Sequence, residues 1–207
     1  MPAGSIERTN ARKEEIINAC EKLYQTTSFK EMKLKNIADE TTFSRTSIYN
    51  YFQTKEEIFL ALLKREYDMW NSDIADIIQS RPAMTTEEIA AALAGTLEKR
   101  AQLLKIMSMN HYDLEDNSRM ELLTEFKVSY GNALHLVMDM LTKFKPDMAQ
   151  EKRQNFIYTF FPFMFGIYPY TVVTEKQQQA MEEAGVNYTY SSLYQLTYNA
   201  VITLLAD

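Results

Sequence analysis

The run Ser44-Arg45-Thr46-Ser47-Ile48-Tyr49-Asn50-Tyr51-Phe52 gathers side chains whose types and spacing suit hydrogen bonding rather than bond making. On a helix, Ile48 and Phe52 stand four apart and face inward, which leaves Ser44, Arg45, Ser47 and Asn50 outside. Arg can bond guanine in bidentate fashion, Asn can do the same with adenine, and Ser or Thr can reach several base edges. A recognition helix must enter the major groove with its first turn, where bulky apolar side chains would find no partners. Any surface helix also shows polar residues outside, so this pattern alone leaves DNA reading and a plain solvated face both open.

The elements that must position this helix can be read on either side of it. Ala11 to Tyr24 places Ile16, Ile17, Cys20, Leu23 and Tyr24 at helical spacing, with Arg12, Lys13, Glu14, Glu15, Glu21 and Lys22 opposite. Cys20 lies on the apolar stripe and reads as a small core residue rather than a reactive thiol. Thr26-Thr27-Ser28 interrupts the pattern, and a second short helix is predicted from Leu34 to Thr41 with Ile37 and Ala38 inward. The break Thr42-Phe43 then precedes Ser44, well suited to N-cap the third helix. Short helix, tight turn, short helix is a DNA-reading design.

From Arg12 to Leu63 the chain resembles the DNA-binding domain of the TetR family of regulators. The resemblance rests on Ile37-Ala38 in the second helix, on Ser44 through Phe52, and on Lys55-Glu56-Glu57-Ile58 opening the fourth. It implies that Ser44, Arg45, Thr46, Ser47 and Asn50 face the groove. It implies too that Tyr49 and Tyr51 hold the phosphate backbone, with Lys55 as a further clamp at a helix N-terminus. Tyr49 is also open to partial burial in the core, and the two roles can coexist, since a tyrosine has an apolar body and a polar tip. Lys35 is a further expected phosphate contact. Two positions depart from the family pattern: Thr42 stands where glycine is usual in the turn, and Lys33 where threonine often caps the second helix. A β-branched residue in a left-handed turn costs on the order of 1 kcal/mol, so a reshaped turn is expected.

A net charge of −6 does not by itself suit a nucleic-acid partner, but the charge is uneven. Residues 1–55 hold nine Lys/Arg against seven Asp/Glu, and the remainder holds 13 against 21. Any nucleic acid that is bound must therefore be met by the first quarter of the chain, although the excess there is too small for charge alone to establish binding. Five glycines and five prolines are too few for an all-β protein, and a single cysteine rules out an internal disulfide and suits a reducing cytoplasm. The fold class expected is all-α: residues 1–55 as a three-helix helix-turn-helix domain, and 56–207 as a larger helical domain for ligand binding and dimerisation. No catalytic residue, metal site or cofactor is expected, because no Gly-rich phosphate loop, triad or Cys/His/Asp/Glu cluster is found.

The second domain is predicted to open on a long helix from Thr54 to Ser80. Ile58, Phe59, Leu62 and Leu63 would pack on the first domain, and Tyr67, Trp70 and Ile74 would continue into the second. Asp113 to Ser118 reads as an acidic connector between helices 102–112 and 119–144. Gln154 to Thr174 carries no charge, but Pro162, Gly166 and Pro169 interrupt it and basic flanks are sparse, so no membrane span is expected. That helix and the last one (Leu193, Leu196, Ala200, Val201, Leu204) are expected to form a homodimer interface, as the resemblance implies. Candidate pocket residues for a small apolar or amphipathic ligand are Trp70, Met107, His111, Phe126, Tyr130, Phe161, Phe165 and Tyr168. Such aromatic stripes are also what a helical core contains. Two functions stay open: a ligand-responsive repressor on a palindromic operator, and a regulator controlled by a protein partner or without a small-molecule ligand.

Overall fold

Ile16, Ile17, Cys20 and Tyr24 recur at helical spacing, and helix α1 (Ala3–Tyr24) buries all four. The computed structural model describes residues 3–206, without the side chains of residues 3–6 and 109–111. Among the described residues there is no strand. After α1 come α2 (Leu34–Asp39), α3 (Arg45–Ile48), α4 (Lys55–Ser80), α5 (Thr86–Lys99) and α6 (Ala101–Asp116). They are followed by α7 (Met120–Phe144), α8 (Gln150–Ile167), a 3-10 turn (Tyr168–Tyr170), α9 (Glu175–Glu183) and α10 (Leu193–Leu205).

The helices gather into two compact units. The first holds the chain up to Arg65 together with His111–Val128; the second holds Glu66–Asn110 and the chain from Ser129 onward. In the first unit, Ile37 and Ala38 of α2, Ile48 and Phe52 around α3, and Ile58, Phe59, Leu62 and Leu63 of α4 are buried with the α1 stripe. Phe59 meets Tyr24 and Phe29 edge-on, each pair of ring centroids 4.9 Å apart. Cys20 is fully buried with its Sγ 4.0 Å from the sulfur of Met32, and burial pushes its thiol pKa up, as suits an inert core residue.

Phe29 and Met32, which lie between the first two predicted helices, are buried as well. Ser28 and Glu31 form a reciprocal cap around one helical turn: Ser28 Oγ donates to Glu31 Oε2 at 2.7 Å, and Glu31 N donates to Ser28 Oγ at 3.4 Å. The Ser-x-x-Glu spacing was the available signal. Asp113–Asp116, expected as connector, instead completes α6, because Leu114 is fully buried and Glu115 pairs with Lys127. The connection shortens to Asn117, Ser118 and Arg119.

In the second unit, Thr85 accepts a hydrogen bond from Glu88 N while Glu88 reaches back to Thr85 N, a full capping box at the start of α5. Trp70 Nε1 donates to Thr96 Oγ1 at 3.0 Å, tying α4 to α5, and Asn71 Nδ2 donates to the Ser129 carbonyl at 2.9 Å, tying α4 to α7. α10 packs along α5 and α8 through Leu193, Thr197, Val201 and Leu205. Leu193 and Val201, expected at a dimer interface, are thus buried within the protomer, whereas Leu196, Ala200 and Leu204 stay half-exposed. α8 runs unbroken through Pro162. Among the described residues no single helix is long and apolar enough to cross a membrane.

Candidate nucleic-acid interface

Ser44 has the extended backbone of an N-cap (φ −68°, ψ 154°), and its Oγ accepts from Ser47 N at 3.4 Å. This hydroxyl stops the chain from fraying where α3 begins, and fully buried Ile48 anchors the helix from behind. Asn50 N and Tyr51 N bond back to Ser47 and Ile48, so helical bonding continues to Phe52. Ser44, Arg45, Thr46, Tyr49 and Asn50 are exposed, and Ser47 and Tyr51 are half-buried. Tyr49, whose sequence reading left core and surface open, is 44% exposed.

The basic groups on this face are already oriented. Arg45 Nη2 donates to Tyr49 OH at 3.1 Å, with the guanidinium 5.8 Å from that ring's centroid. Arg12, not among the DNA contacts expected from sequence, donates to Tyr51 OH at 3.1 Å and lies 6.0 Å from the Phe43 ring. That bond to Tyr51 raises the pKa of the Arg12 guanidinium further above its ordinary range. Lys35 is exposed on α2. Lys55 is half-buried: its Nζ donates to the Phe29 carbonyl at 2.7 Å and sits 4.1 Å from the Phe29 ring centroid. Its ammonium is therefore engaged inside the protein and would have to exchange that bond for a phosphate.

The turn departs from a glycine-centred one. Among the described residues only Gly185 has a positive φ, so Thr42 does not take the left-handed conformation. Its N–H is caught instead by Glu15 Oε1 at 2.6 Å, and Thr41 Oγ1 donates to the Ala38 carbonyl at 2.8 Å. The start of α2 is likewise remade: Lys33 N–H donates to Asn36 Oδ1 at 2.9 Å, the back-reaching half of a capping box.

The candidate pocket residues divide between the units. Trp70, Tyr130 and Phe161 join Tyr67 in a four-ring edge-to-face cluster with centroid separations of 5.7–6.2 Å. Met107 Sδ accepts from Tyr67 OH at 3.4 Å, and burial raises the Tyr67 pKa well above its ordinary value. Phe165 and Tyr168 are half-buried, and burial also raises the Tyr168 pKa. Phe126 is buried in the first unit, and the side chain of His111 lies outside the described residues. A cleft of about 670 Å³ bordered by Thr86, Lys145, Lys152 and Ala206 contains none of these residues. Among the described residues no group of His, Cys, Asp or Glu could hold a metal.

A capped short helix with a polar outer face, set after a turn and a second short helix and backed by α1 and α4, defines a helix-turn-helix DNA-binding domain, here followed by a helical domain. The profile for bacterial regulatory proteins of the tetR family matches residues 16–62, and that for the tetracyclin repressor-like C-terminal domain matches residues 64–206. The chain belongs to the TetR family of transcriptional regulators. A TetR/AcrR-family regulator from Thermobifida fusca superposes with a TM-score of 0.64 at 17% identity, over 94% of this chain and 97% of its own. The regulator FadR from Bacillus subtilis, solved in complex with stearoyl-CoA, gives 0.57 at 16% identity, over 93% and 97%. The fatty acid degradation regulator FadR from Bacillus halodurans gives 0.58 at 16%, over 91% and 97%. At these identities the likeness is one of fold. No curated protein matches the chain.

Proposed function

We propose that this protein is a ligand-responsive repressor that binds a palindromic operator as a homodimer. The observation that carries the reading is the outer face of α3, where Arg45, Thr46, Tyr49 and Asn50 are exposed while Ile48 and Phe52 are held at 0% and 1% exposure behind them. Ser44, Arg45, Thr46, Ser47 and Asn50 read base edges or the adjacent backbone; Tyr49, Tyr51, Lys35 and Lys55 hold phosphates.

A second copy is accommodated on the exposed side of α8 and α10. There Pro162, Phe163, Gly166, Ile167, Tyr170, Tyr188 and Leu196 border a shallow, largely apolar groove of about 290 Å³. The ligand is a small apolar or amphipathic molecule; Tyr67, Trp70 and Phe161 are buried, so these rings and Tyr130 would have to part to admit it. The stearoyl-CoA held by the Bacillus subtilis FadR makes long-chain acyl-CoA the first class to try. Release follows if the ligand binds better to a dimer whose two recognition helices no longer match successive major grooves.

Selection of bound duplexes from a random pool tests the DNA reading. An inverted repeat with half-sites one helical turn apart, about 34–36 Å, is the expected outcome, and a pool left unenriched overturns it. Acyl-CoAs added to the selected complex then test release, and operator affinity unchanged by the ligand that binds would remove the regulatory part of the reading.

A further inference from the structure

Glu57 is a carboxylate only 1% exposed, in the first turn of α4. A buried charge is retained at reasonable cost only when its oxygens are fully paired. Here Oε2 accepts from Gln53 N at 2.6 Å and from Arg119 Nη2 at 3.0 Å, while Oε1 accepts from Arg119 Nε at 2.7 Å and Arg119 N at 3.2 Å. Arg119 stands 62 residues along the chain, in the short turn between α6 and α7, and within the same compact unit.

The guanidinium does more than neutralise Glu57. The same Nη2 donates to the Tyr51 carbonyl at 2.9 Å, where the helical bonding of α3 is running out and carbonyls lack partners. One fork therefore grips the main chain on both sides of Phe52: at Tyr51 directly, and at Gln53 through Glu57. Thr54 adds a second strut, capping Glu57 N at 3.1 Å while its hydroxyl donates to the Asn117 carbonyl at 3.0 Å. A lysine could supply the charge but not this planar set of donors.

We propose that Arg119 is a positioning residue for DNA reading: through Glu57 and the Tyr51 carbonyl it fixes the end of α3, and so the angle at which Arg45, Tyr49 and Asn50 are presented. The α6–α7 turn is thus a working part of the DNA-reading unit, although it lies far from residues 1–55 in sequence. This rests on α3 being the DNA reader.

The test uses the full chain and a duplex selected by the unaltered protein. Arg119→Met and Arg119→Lys are compared with it after titrating the active fraction well below the melting temperature. Three quantities are read: affinity, discrimination against a duplex with one half-site base changed, and the slope of log affinity on log salt. Arg119→Met is expected to lose about tenfold in affinity per active molecule and to discriminate less, with the salt slope unchanged because no phosphate contact is removed. Arg119→Lys is expected to recover only part of both. Wild-type affinity and discrimination in Arg119→Met overturn the proposal and leave Arg119 a purely structural residue. If that variant does not fold, wild-type values in Arg119→Lys overturn it equally. Failure of the unaltered protein to select any duplex sinks the DNA reading itself, a result separable from either variant's.

Discussion

Lys55 illustrates how a single side chain can serve two partners. Its Nζ bonds the Phe29 carbonyl over the Phe29 ring, yet it sits at the start of α4, where a helix N-terminus also attracts an anion. If it moves onto a phosphate when DNA binds, Lys55→Ala should weaken binding on all sequences alike and reduce the salt slope by about one. An unchanged slope, measured by anisotropy across a salt series, would leave it an internal strut only. Glu57 gives a pH dependence with a definite sign. Burial pushes its carboxyl up, but the bonds from Arg119 and Gln53 and the charge of Arg119 together hold it below the ordinary 4.5. A folded pKa below the unfolded one stabilises the protein above pH 4.5, and that contribution is lost as pH falls through the folded value. Urea midpoints measured from pH 7 down to pH 3 should therefore fall more steeply in the unaltered protein than in Glu57→Gln, and parallel curves would contradict this. At this scale the exposure of Ser44, Arg45 and Asn50 was legible, because polar types opposite Ile48 and Phe52 have one side left to them, whereas Ser47, expected with them, is half-buried. The partners of Lys55 and Glu57 were not, since Phe29 and Arg119 reach them through tertiary folding that no local period encodes.

Helices announce their ends through caps, and where a cap was readable the element was placed well. Ser44 at α3 is such a case, whereas the Thr85–Glu88 box at α5 was not picked out from the sequence. Thr85→Ala should cost about 1 kcal/mol and lower the melting temperature by roughly 2–4 °C for a chain of this size, with operator affinity at 25 °C unchanged. A calorimetric scan paired with one binding isotherm checks both, and lost affinity without lost stability would show that α5 acts on DNA binding in some other way. Misplaced ends have physical causes. Asp113–Asp116 looks like a polar connector, but one buried leucine, Leu114, suffices to carry α6 through it. The turn at Thr42 escapes the left-handed conformation because Glu15, distant in sequence, satisfies its N–H.

For the whole molecule, residues 1–55 are net basic and the remainder net acidic, which suits a chain whose N-terminal part is the helix-turn-helix domain of the family and whose remainder is its C-terminal domain. Leu196 is half-exposed on α10 and borders the apolar groove beside α8, so Leu196→Glu should spare the protomer core. It is expected to shift the protein from dimer to monomer in sedimentation and to abolish tight operator binding; a dimer of unchanged strength would place the interface elsewhere. The all-α class and the helix-turn-helix were legible because helical periodicity and caps are local. The make-up of the first unit was not, because His111–Val128 joins it by long-range contacts. The central claim is that α3 reads base edges. It is tested most directly by titrating the protein and its Arg45→Ala variant against the selected duplex and against duplexes changed at each half-site position. The account predicts a loss of about 1–3 kcal/mol for Arg45→Ala, with discrimination relaxed at one position of each half-site. Equal affinity and an unaltered preference at every position would contradict it.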